Sequence, residues 1–528
     1  MEREEVRNRR LRRADWRFLL PDPSPRVSLC FERGALYDAV VRISTAVAIA
    51  DPVPLHGCDL AVSTDPDPMR LRAAFTRLRP GGACYVECHG LSVRSAAVRH
   101  TLLDAGFHDV RTYWPWPSAD RCRAWIPLDD PAVASAYLRE EGQAAHGPLR
   151  RLVRASRRGI WRLRQRLGLT LHVSAIGVKR PGDDGDLPRG ILDIIRANWT
   201  AWDLAPASPS RLSCVMQTGG PRSSSKVVAL VFADEASAPA LAVKIARVPE
   251  AAAGLTREAD TLGMVHGARV PPLHGVPRVL FAWRDVDVLA IGETALPGAP
   301  ITGRLARRHH AALAAAGTSW LIDLAHATQA PSGVSGELSA AAWRRFAATY
   351  GGAASDAVPR AIDRAFARLA TMPSVCEHRD FSPWNVFVQH VDDLSVLDWE
   401  SSTPRGIPGL DLIYFLSYLA FYRDGLLGWR SRELSVARFR EAYRTAWDPR
   451  TPAGRVNHGC TTTYAARVGI DPAACHALRL LTWLMHAESE YQRLAADLGS
   501  TPPPALLRRR GLFLNLLEEE ARIGVSSP

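Results

Sequence analysis

Short apolar runs alternate with amphipathic stretches over roughly the first 180 residues of the chain. Clusters of β-branched residues predict strands, and apolar residues at helical spacing predict helices. The predicted strands are Arg26–Phe31, Ala46–Ala50, Asp59–Ser63 and Ala83–Glu87. The predicted helices are Met69–Leu78 and Val93–Ala105. Because strands and helices alternate, we expect a parallel α/β sheet in this region.

The pattern changes after a stretch rich in proline, glycine and aspartate, which we predict to be a linker. Strands dominate from Leu212 to Ile291, and helices dominate from Thr302 onward except in the segment Val375–Trp399. A small β-rich lobe followed by a large helical lobe gives an overall class of α/β plus α+β. The predicted parts are an N-terminal domain at 1–180, the linker at 181–190, a small lobe at 191–299 and a large lobe at 300–528.

The chain of 528 residues has ordinary globular composition, with 47% hydrophobic and 23% charged residues, and its length predicts two or three domains. Its net charge of +12 is concentrated in a basic helical segment at 147–170, where eight arginines and no acids lie between Arg150 and Arg166. Such a segment is typical of a solvated helix face, and binding to an anionic membrane surface or a lipid-linked substrate is the alternative. No recognisable nucleic-acid module accompanies it, which disfavours sequence-specific nucleic-acid binding.

No apolar run reaches the roughly 18–20 residues that cross a bilayer, and Leu412–Tyr422 is predicted to be a buried helix. The first fifteen residues are mainly Arg and Glu, which is not typical of a secretory signal. The nine cysteines lack paired or zinc-site spacing. We therefore expect a cytoplasmic protein with free thiols.

One segment carries a complete set of groups for phosphoryl transfer. Asp380 follows His378, Asn385 comes five residues after that aspartate, and a predicted hairpin leads from there to Asp398. Phosphoryl transfer to a hydroxyl needs a carboxylate to accept the hydroxyl proton, a role that suits Asp380. It also needs oxygen ligands for Mg²⁺, which an asparagine amide and a second carboxylate supply. The spacing matches the protein-kinase catalytic set.

With the following Asp-Trp-Glu at 398–400, this motif resembles that of the aminoglycoside phosphotransferase and choline kinase family. The resemblance covers about residues 190–528 and includes Asp411 at the start of a later helix. It implies a bilobal protein-kinase-like fold and an ATP-dependent phosphotransferase. It further implies that Asp380 is the catalytic base and that Asn385 and Asp398 hold Mg²⁺.

Upstream residues fit a nucleotide site. Lys244 lies in the middle of an apolar strand, from which its charge can reach nucleotide phosphates. Glu258, on the next predicted helix, is its expected ion-pair partner. The segment 293–298, with Glu293 and Ala295, resembles the hinge of the family, which implies contacts of the backbone with adenine.

A phosphate loop is expected between two predicted strands, at Gln217–Lys226. Gly219, Gly220 and Ser223 permit close approach of the backbone and supply N–H and hydroxyl donors. The loop departs from the Gly-x-Gly-x-x-Gly pattern of kinases. A plain hairpin is the alternative interpretation.

The N-terminal region resembles a degenerate class I S-adenosylmethionine-dependent methyltransferase, a Rossmann-like domain. The resemblance rests on the turn Leu78–Val86 and on the helix-to-strand passage Leu102–Val110. The first strand of such domains ends in a glycine turn against the cofactor. Here Phe31, Glu32 and Arg33 occupy that turn and a helix–strand unit is missing, although Asp51 lies near the position of a ribose-binding acid. We expect a packing or recognition domain.

Together these features predict transfer of phosphate from ATP, with Mg²⁺, to a hydroxyl of a small molecule of the aminoglycoside, amino alcohol or sugar class. Two alternatives stay open: a non-catalytic nucleotide-binding pseudokinase or scaffold, and a bifunctional methyltransferase–phosphotransferase. An acidic acceptor pocket would favour a cationic substrate. Glu400, Glu488 and Glu490 are the candidates for such a pocket.

Overall fold

The chain folds into two compact units in a computed structural model that describes residues 11–50, 57–143, 169–180, 190–205, 207–219, 226–285, 288–331, 334–427 and 435–523. The sheet unit comprises residues 2–255 and 279–295. The helical unit comprises residues 256–278 and 296–528. Most of the predicted linker and of the basic segment lies outside the described residues.

The described part of the sheet unit contains twelve strands in a single sheet. The strands are β1 (Val27–Cys30), β2 (Ala46–Ile49), β3 (Cys58–Thr64), β4 (Leu78–Arg94), β5 (His108–Trp116), β6 (Ala124–Pro127), β7 (Leu169–Val178), β8 (Leu212–Gln217), β9 (Lys226–Ala233), β10 (Leu241–Ala246), β11 (Val279–Asp285) and β12 (Val288–Thr294). The helices are α1 (Ala35–Val40), α2 (Pro68–Arg77), α3 (Ser95–Asp104), α4 (Pro131–Gln143) and α5 (Ile191–Asn198). The four strands and two helices predicted before the linker are present as β1–β4, α2 and α3.

The sheet changes character along its width. Its order is β11-β12-β10-β9-β8-β6-β5-β7-β4-β3-β1-β2. The β1–β2, β1–β3 and β3–β4 pairs are parallel. The remaining pairs, from β4–β7 to β11–β12, are antiparallel. A parallel α/β region therefore continues directly into an antiparallel one.

The junction of these two regions is the pairing of β6 with β8. Ala124 lies opposite Gln217 and Trp125 lies opposite Met216. Both Trp125 and Met216 are fully buried, so the two regions share apolar core as well as backbone hydrogen bonds. The strands of the expected small lobe thus extend a sheet that begins in the expected N-terminal domain, and the boundary between these domains stays a prediction.

The segment before β1 packs against this sheet. A short 3-10 helix at Asp15–Leu19 carries Trp16, whose ring stacks on Tyr85 of β4 at 3.9 Å between centroids. Both rings are buried. A stacked pair of large aromatic rings contributes packing beyond its apolar area, and it anchors this short helix on the sheet.

The described part of the helical unit is built mainly of long helices. Helix α6 (Ala252–Gly267) begins in the sheet unit and continues here, followed by α7 (Gly303–Thr328), α8 (Val334–Tyr350), α9 (Ala357–Ala365), α10 (Leu410–Arg423), α11 (Val436–Trp447), α12 (Pro452–Val468), α13 (Cys475–Leu498), α14 (Pro504–Arg510) and α15 (Leu512–Ile523). Short strands form two small sheets: β13 (Ala299–Pro300), β15 (Val386–His390) and β16 (Asp393–Val396) in one, and β14 (Val375–Glu377) and β17 (Thr403–Gly406) in the other.

Local signals explain where helix α12 begins and ends. Helix α12 begins after Thr451, whose side chain accepts the N–H of Gly454, with Pro452 in the first turn. It ends at Gly469, whose φ of +77° suits glycine.

Helix α10 is mostly apolar, and Leu410–Phe421 is buried throughout. The predicted buried helix at Leu412–Tyr422 is therefore confirmed. Within the described stretches, we find no helix whose length and apolar character would allow it to span a bilayer.

Candidate functional site

The loop between β14 and β15 carries the predicted catalytic motif, and His378 sets its shape. This side chain is fully buried. Its Nδ1 accepts the backbone N–H of Asp380 at 3.3 Å, and its Nε2 donates to the carbonyl of Leu397 at 3.1 Å. An imidazole that accepts at one nitrogen and donates at the other is neutral. His378 therefore ties the loop to the residue that precedes Asp398.

Asp411, at the start of α10, holds the same loop from the other side. Its carboxylate accepts the backbone N–H of His378 at 2.6 Å and that of Arg379 at 2.8 Å. Arg379 has a φ of +67°, a conformation that costs energy for a residue other than glycine. Burial and the neighbouring carboxyl of Glu377 raise the pKa of Asp411. The loop is thus held in a strained conformation by buried polar groups.

Asp380 and Asn385 lie in direct contact within this loop. The Asn385 Nδ2 donates to Asp380 Oδ2 at 2.8 Å and to the Asp380 carbonyl at 3.0 Å. The carbonyl of Asn385 accepts the N–H of Leu397 at 2.9 Å, which aligns the end of β16 with the loop. Asp398 follows with a φ of +70°.

The electrostatic consequence is clear at Asp380. Burial and then the negative charge of Asp398 raise the pKa of Asp380 to about 7. The hydrogen bond from Asn385 opposes this shift. A group with a pKa near neutrality can exchange a proton with a reacting hydroxyl at physiological pH.

Glu258 lies on α6 and contacts the segment that carries Asp398. It is fully buried, and its Oε1 accepts the backbone N–H of Trp399 at 2.8 Å. The Trp399 Nε1 donates to the carbonyl of Val396 at 3.0 Å. Glu258 therefore holds the turn that follows Asp398.

Lys244 lies in β10 and forms an ion pair with Glu293 of β12, at 3.1 Å between Nζ and Oε2. Both side chains are buried. The predicted pairing of Lys244 with Glu258 stays a prediction. At the predicted hinge, the Ala295 N–H donates to the carbonyl of Ala240 at 3.1 Å.

Within the predicted phosphate loop, only Gln217–Gly219 and Lys226 belong to the described residues. Gly219 has a φ of +71°, a conformation that favours glycine. Gly220 and Ser223 lie outside the described residues. Sequence reasoning missed Arg12, Asp15 and Arg247, which contact this end of β8 or one another. The partners are up to 232 residues apart, so no local pattern signals them.

The carboxyl ends of the parallel strands are occupied by a side chain of the protein itself. The Glu32 carboxylate accepts the backbone N–H of Thr64 at the end of β3. It lies within 3.4 Å of the Ser63 hydroxyl and 3.5 Å of the Arg70 guanidinium. Gly34 begins α1 beside it. Asp51 lies outside the described residues.

The acidic residues proposed for an acceptor pocket have partners in the helical unit. Glu488 forms an ion pair with Arg345 at 2.7 Å. Glu490 accepts the N–H groups of Leu512 and Phe513 at the start of α15, and burial raises its pKa to about 7. Near Asp380, the side chain of Trp384 is exposed, and its ring meets that of Tyr418 edge-on at 5.2 Å between centroids.

Comparison with known families gives a match in the part of the chain that carries this site. Residues 224–455 match the family described as the phosphotransferase enzyme family, APH. The matched stretch contains Lys244, Asp380 and Asp398 and covers less than half of the 528 residues. The match indicates a phosphotransferase domain within this stretch. The methyltransferase-like interpretation of the residues before it stays a prediction.

Solved structures similar to this chain include several aminoglycoside phosphotransferases. The GDP complex of aminoglycoside 2'-phosphotransferase-IIIa shares 12% identity over 62% of this chain and 99% of its own, with a TM-score of 0.36. A thermostable mutant of APH(4)-Ia, in complex with ADP and hygromycin B, shares 11% identity over 63% and 99%, with a TM-score of 0.37. APH(3'')-Id from Streptomyces rimosus shares 16% identity over 55% and 97%, with a TM-score of 0.31. At these TM-scores the similarities support no inference about the present chain. A comparison with curated proteins gave no match.

Proposed function

We propose that this protein transfers the γ-phosphoryl group of ATP to a hydroxyl of a small molecule, with Mg²⁺ as the required metal. The observation that carries the proposal is the contact between Asp380 and Asn385, together with the effect of Asp398 on the pKa of Asp380. A carboxylate poised near neutrality beside a second carboxylate and an amide is the arrangement that this reaction needs. The family match over residues 224–455 agrees with it.

In the proposed reaction, Asp380 orients the acceptor hydroxyl and takes its proton. The acceptor oxygen forms a bond to the γ-phosphorus, the bond from that phosphorus to the oxygen bridging to the β-phosphate breaks, and ADP leaves. Lys244, held by Glu293, supplies positive charge to the nucleotide phosphates. Ala295 and Glu293 belong to the segment proposed to contact adenine.

Asn385 and Asp398 are the residues that would hold Mg²⁺. Among the described residues, no cluster of three or more His, Cys, Asp or Glu side chains is arranged to bind a metal. Mg²⁺ in nucleotide sites uses one or two carboxylates together with substrate phosphates and water, so a larger protein cluster is not required. The donor set therefore fits the ion, which when bound would neutralise charge on the phosphates.

The decisive experiment measures nucleotide binding to the full chain by calorimetry, with and without Mg²⁺ or Mn²⁺, alongside turnover of ATP. We expect binding to require the metal in the wild type and to be lost in Asp398→Ala. The matched control is Asp393→Ala, which removes a carboxylate from the same hairpin, where it contacts His274. This control is expected to bind nucleotide like the wild type.

Metal-independent binding, or unchanged binding in Asp398→Ala, would contradict the proposed metal site. A wild type that binds nucleotide with metal but phosphorylates no acceptor in a broad panel of aminoglycosides, amino alcohols and sugars would favour the non-catalytic alternative.

Cytoplasmic location and the absence of sequence-specific nucleic-acid binding remain part of the proposal.

A further inference from the structure

The two residues that follow β8 lie near the start of the predicted phosphate loop, and each backbone and side-chain polar group of Thr218 forms a hydrogen bond there. Its N–H donates to the carbonyl of Arg123 at 2.9 Å, and its hydroxyl donates to the carbonyl of Cys122 at 2.9 Å. Its carbonyl accepts from Arg247 at 2.8 Å. Thr218 is fully buried. The start of the loop is therefore attached to the segment before β6, which belongs to the N-terminal region.

Arg247 reaches Thr218 because Asp15 holds its guanidinium in place. The Nε and Nη2 of Arg247 each donate to the Asp15 carboxylate at 2.8 Å, and both side chains are completely buried. This forked geometry fixes the plane of the guanidinium. Arg17 adds a hydrogen bond to the carbonyl of Arg247 at 2.9 Å. The segment before β1 thus fixes a group that in turn fixes Thr218.

Arg12 makes a direct contact with the loop. Its Nη2 donates to the carbonyl of Gly219 and lies 3.5 Å from the Thr218 hydroxyl. Gly219 is the first glycine of the predicted loop and adopts a positive φ. Arg247, which Asp15 anchors, therefore holds the carbonyl of Thr218. Arg12, from the same segment as Asp15, holds the next carbonyl, that of Gly219.

We propose that Arg12 and Asp15 are positioning residues for the nucleotide, so that the segment before β1 forms part of the phosphotransferase machinery. This inference rests on the proposed function. A peptide unit is planar and trans, so a fixed carbonyl also fixes the direction of the next N–H. Arg247 at the Thr218 carbonyl thereby orients the N–H of Gly219. Oriented N–H groups in glycine loops are what bind phosphate.

The test compares three full-length variants by calorimetric titration with a non-hydrolysable ATP analogue and Mg²⁺, together with urea unfolding. In Arg12→Ala we expect nucleotide affinity to fall by about tenfold, because a hydrogen bond to a charged group is lost. Arg12→Lys keeps a donor and a charge and is expected to recover most of that affinity. Where an acceptor is known, KM for ATP is expected to rise while kcat changes less.

The matched control is Arg13→Ala. Arg13 lies beside Arg12 but pairs with Glu87 through two contacts of 2.6 Å and with Asp120 at 2.8 Å, away from the loop. We expect this variant to lose stability while keeping nucleotide affinity within about twofold of the wild type. Arg12→Ala is expected to lose nucleotide affinity while keeping its stability.

The outcomes separate this inference from the proposed function. If the wild type binds nucleotide and Arg12→Ala binds it equally well, the positioning role is wrong and the proposed function stands. If Arg12→Ala and Arg13→Ala lose affinity in proportion to lost stability, the segment contributes only to folding, and the inference is likewise wrong. A wild type without nucleotide affinity would overturn both.

Discussion

Two sets of charged residues, one in each unit, differ in whether their charges attract or repel one another. In the sheet unit, Asp15 and Arg247 carry opposite charges, are completely buried and satisfy each other through two hydrogen bonds. In the helical unit, Asp380 and Asp398 carry like charges, are half-buried, and the second raises the pKa of the first. Removal of one partner from the first set leaves a buried charge unpaired, whereas removal of one carboxylate from the second set relieves repulsion.

The difference favours the loop around Asp380 as the candidate catalytic site. A protein retains like charges close together only when something compensates for them, and strongly shifted pKa values cluster at functional sites. The loop around Asp380 carries further signs of imposed strain, since Arg379 and Asp398 both have positive φ values. Such outliers persist where surrounding structure holds them, as Asp411 and His378 do here. Breaking each charge set should therefore have opposite effects.

The largest expected effect on stability comes from Asp15→Ala. It leaves the Arg247 guanidinium buried without its carboxylate, and breaking a buried pair in this way costs about 3–5 kcal/mol. Urea unfolding of the full chain measures the loss in free energy of unfolding.

Glu488→Ala serves as the control for Asp15→Ala, because Glu488 pairs with Arg345, whose side chain is 52% exposed. An exposed pair contributes at most about 1 kcal/mol. A loss of less than about 1 kcal/mol in Asp15→Ala, similar to this control, would show that burial does not distinguish the two pairs.

Asp380→Ala is expected to behave in the opposite way, with turnover lowered by at least about 10²-fold, the scale for loss of a positioned general base. Stability is expected to stay constant or rise, because a group repelled by Asp398 is removed and Asn385 keeps its bond to the backbone carbonyl. Nucleotide binding is expected to persist. Steady-state kinetics with a verified acceptor and urea unfolding provide the two measurements, and unchanged turnover would refute Asp380 as the base.

A smaller effect is expected in the pH dependence of kcat/KM, which should change by about tenfold per pH unit below the pKa of the base. The base must be deprotonated, so kcat/KM is expected to rise with pH below about 7 and to level off above it. Because the folded pKa of Asp380 lies above its ordinary value of 3.8, the folded state binds a proton that the unfolded state releases between these values. This contribution therefore makes stability fall as pH rises through that window.

The profile of Asp380→Asn sharpens this test, since asparagine does not titrate. Its stability is expected to lose the component that falls between pH 3.8 and about 7. Equal slopes for the wild type and Asp380→Asn would mean that Asp380 does not carry the shifted pKa.

Much of the helical unit's site could be predicted because its chemistry lies in one continuous segment. Asp380, Asn385 and Asp398 fall within 19 residues, and their spacing predicts a loop followed by a hairpin. The strands β1 to β4 could be predicted for a similar reason, since each contains a short apolar run, although β4 extends beyond the predicted Ala83–Glu87 to Leu78–Arg94.

Long-range contacts could not be predicted in this way. The β6–β8 pairing joins regions that the sequence pattern assigns to different domains, and a proline- and glycine-rich stretch lies between them. Strand pairing depends on the geometry of the strand edges and on which apolar faces meet, as Trp125 and Met216 do here. The periodicity of a single strand shows that one of its faces is apolar but does not identify the strand with which it pairs. The Asp15–Arg247 pair is hidden for the same reason, because its partners are 232 residues apart.

The smallest expected effect is the absence of S-adenosylmethionine binding, and it extends the comparison to a fourth carboxylate, that of Glu32. Cofactors of this class lie against the backbone at the carboxyl ends of parallel strands, where small residues permit approach. Here the Glu32 carboxylate accepts the N–H of Thr64 and lies 3.4 Å from the Ser63 hydroxyl, so the Glu32 side chain lies at that position.

Calorimetric titration of the full chain with S-adenosylmethionine is expected to give no saturable heat, whereas nucleotide with Mg²⁺ provides the positive control in the same preparation. The full chain is required because β6 and β8 join the N-terminal strands to the rest of the sheet. Glu32→Ala removes the carboxylate but leaves Phe31 and Arg33 in the turn, so we expect it to bind no better. An affinity tighter than about 10 μM, roughly 7 kcal/mol, in the wild type would show that Glu32 yields its position to a ligand. The bifunctional alternative would then replace a purely structural role for the parallel strands.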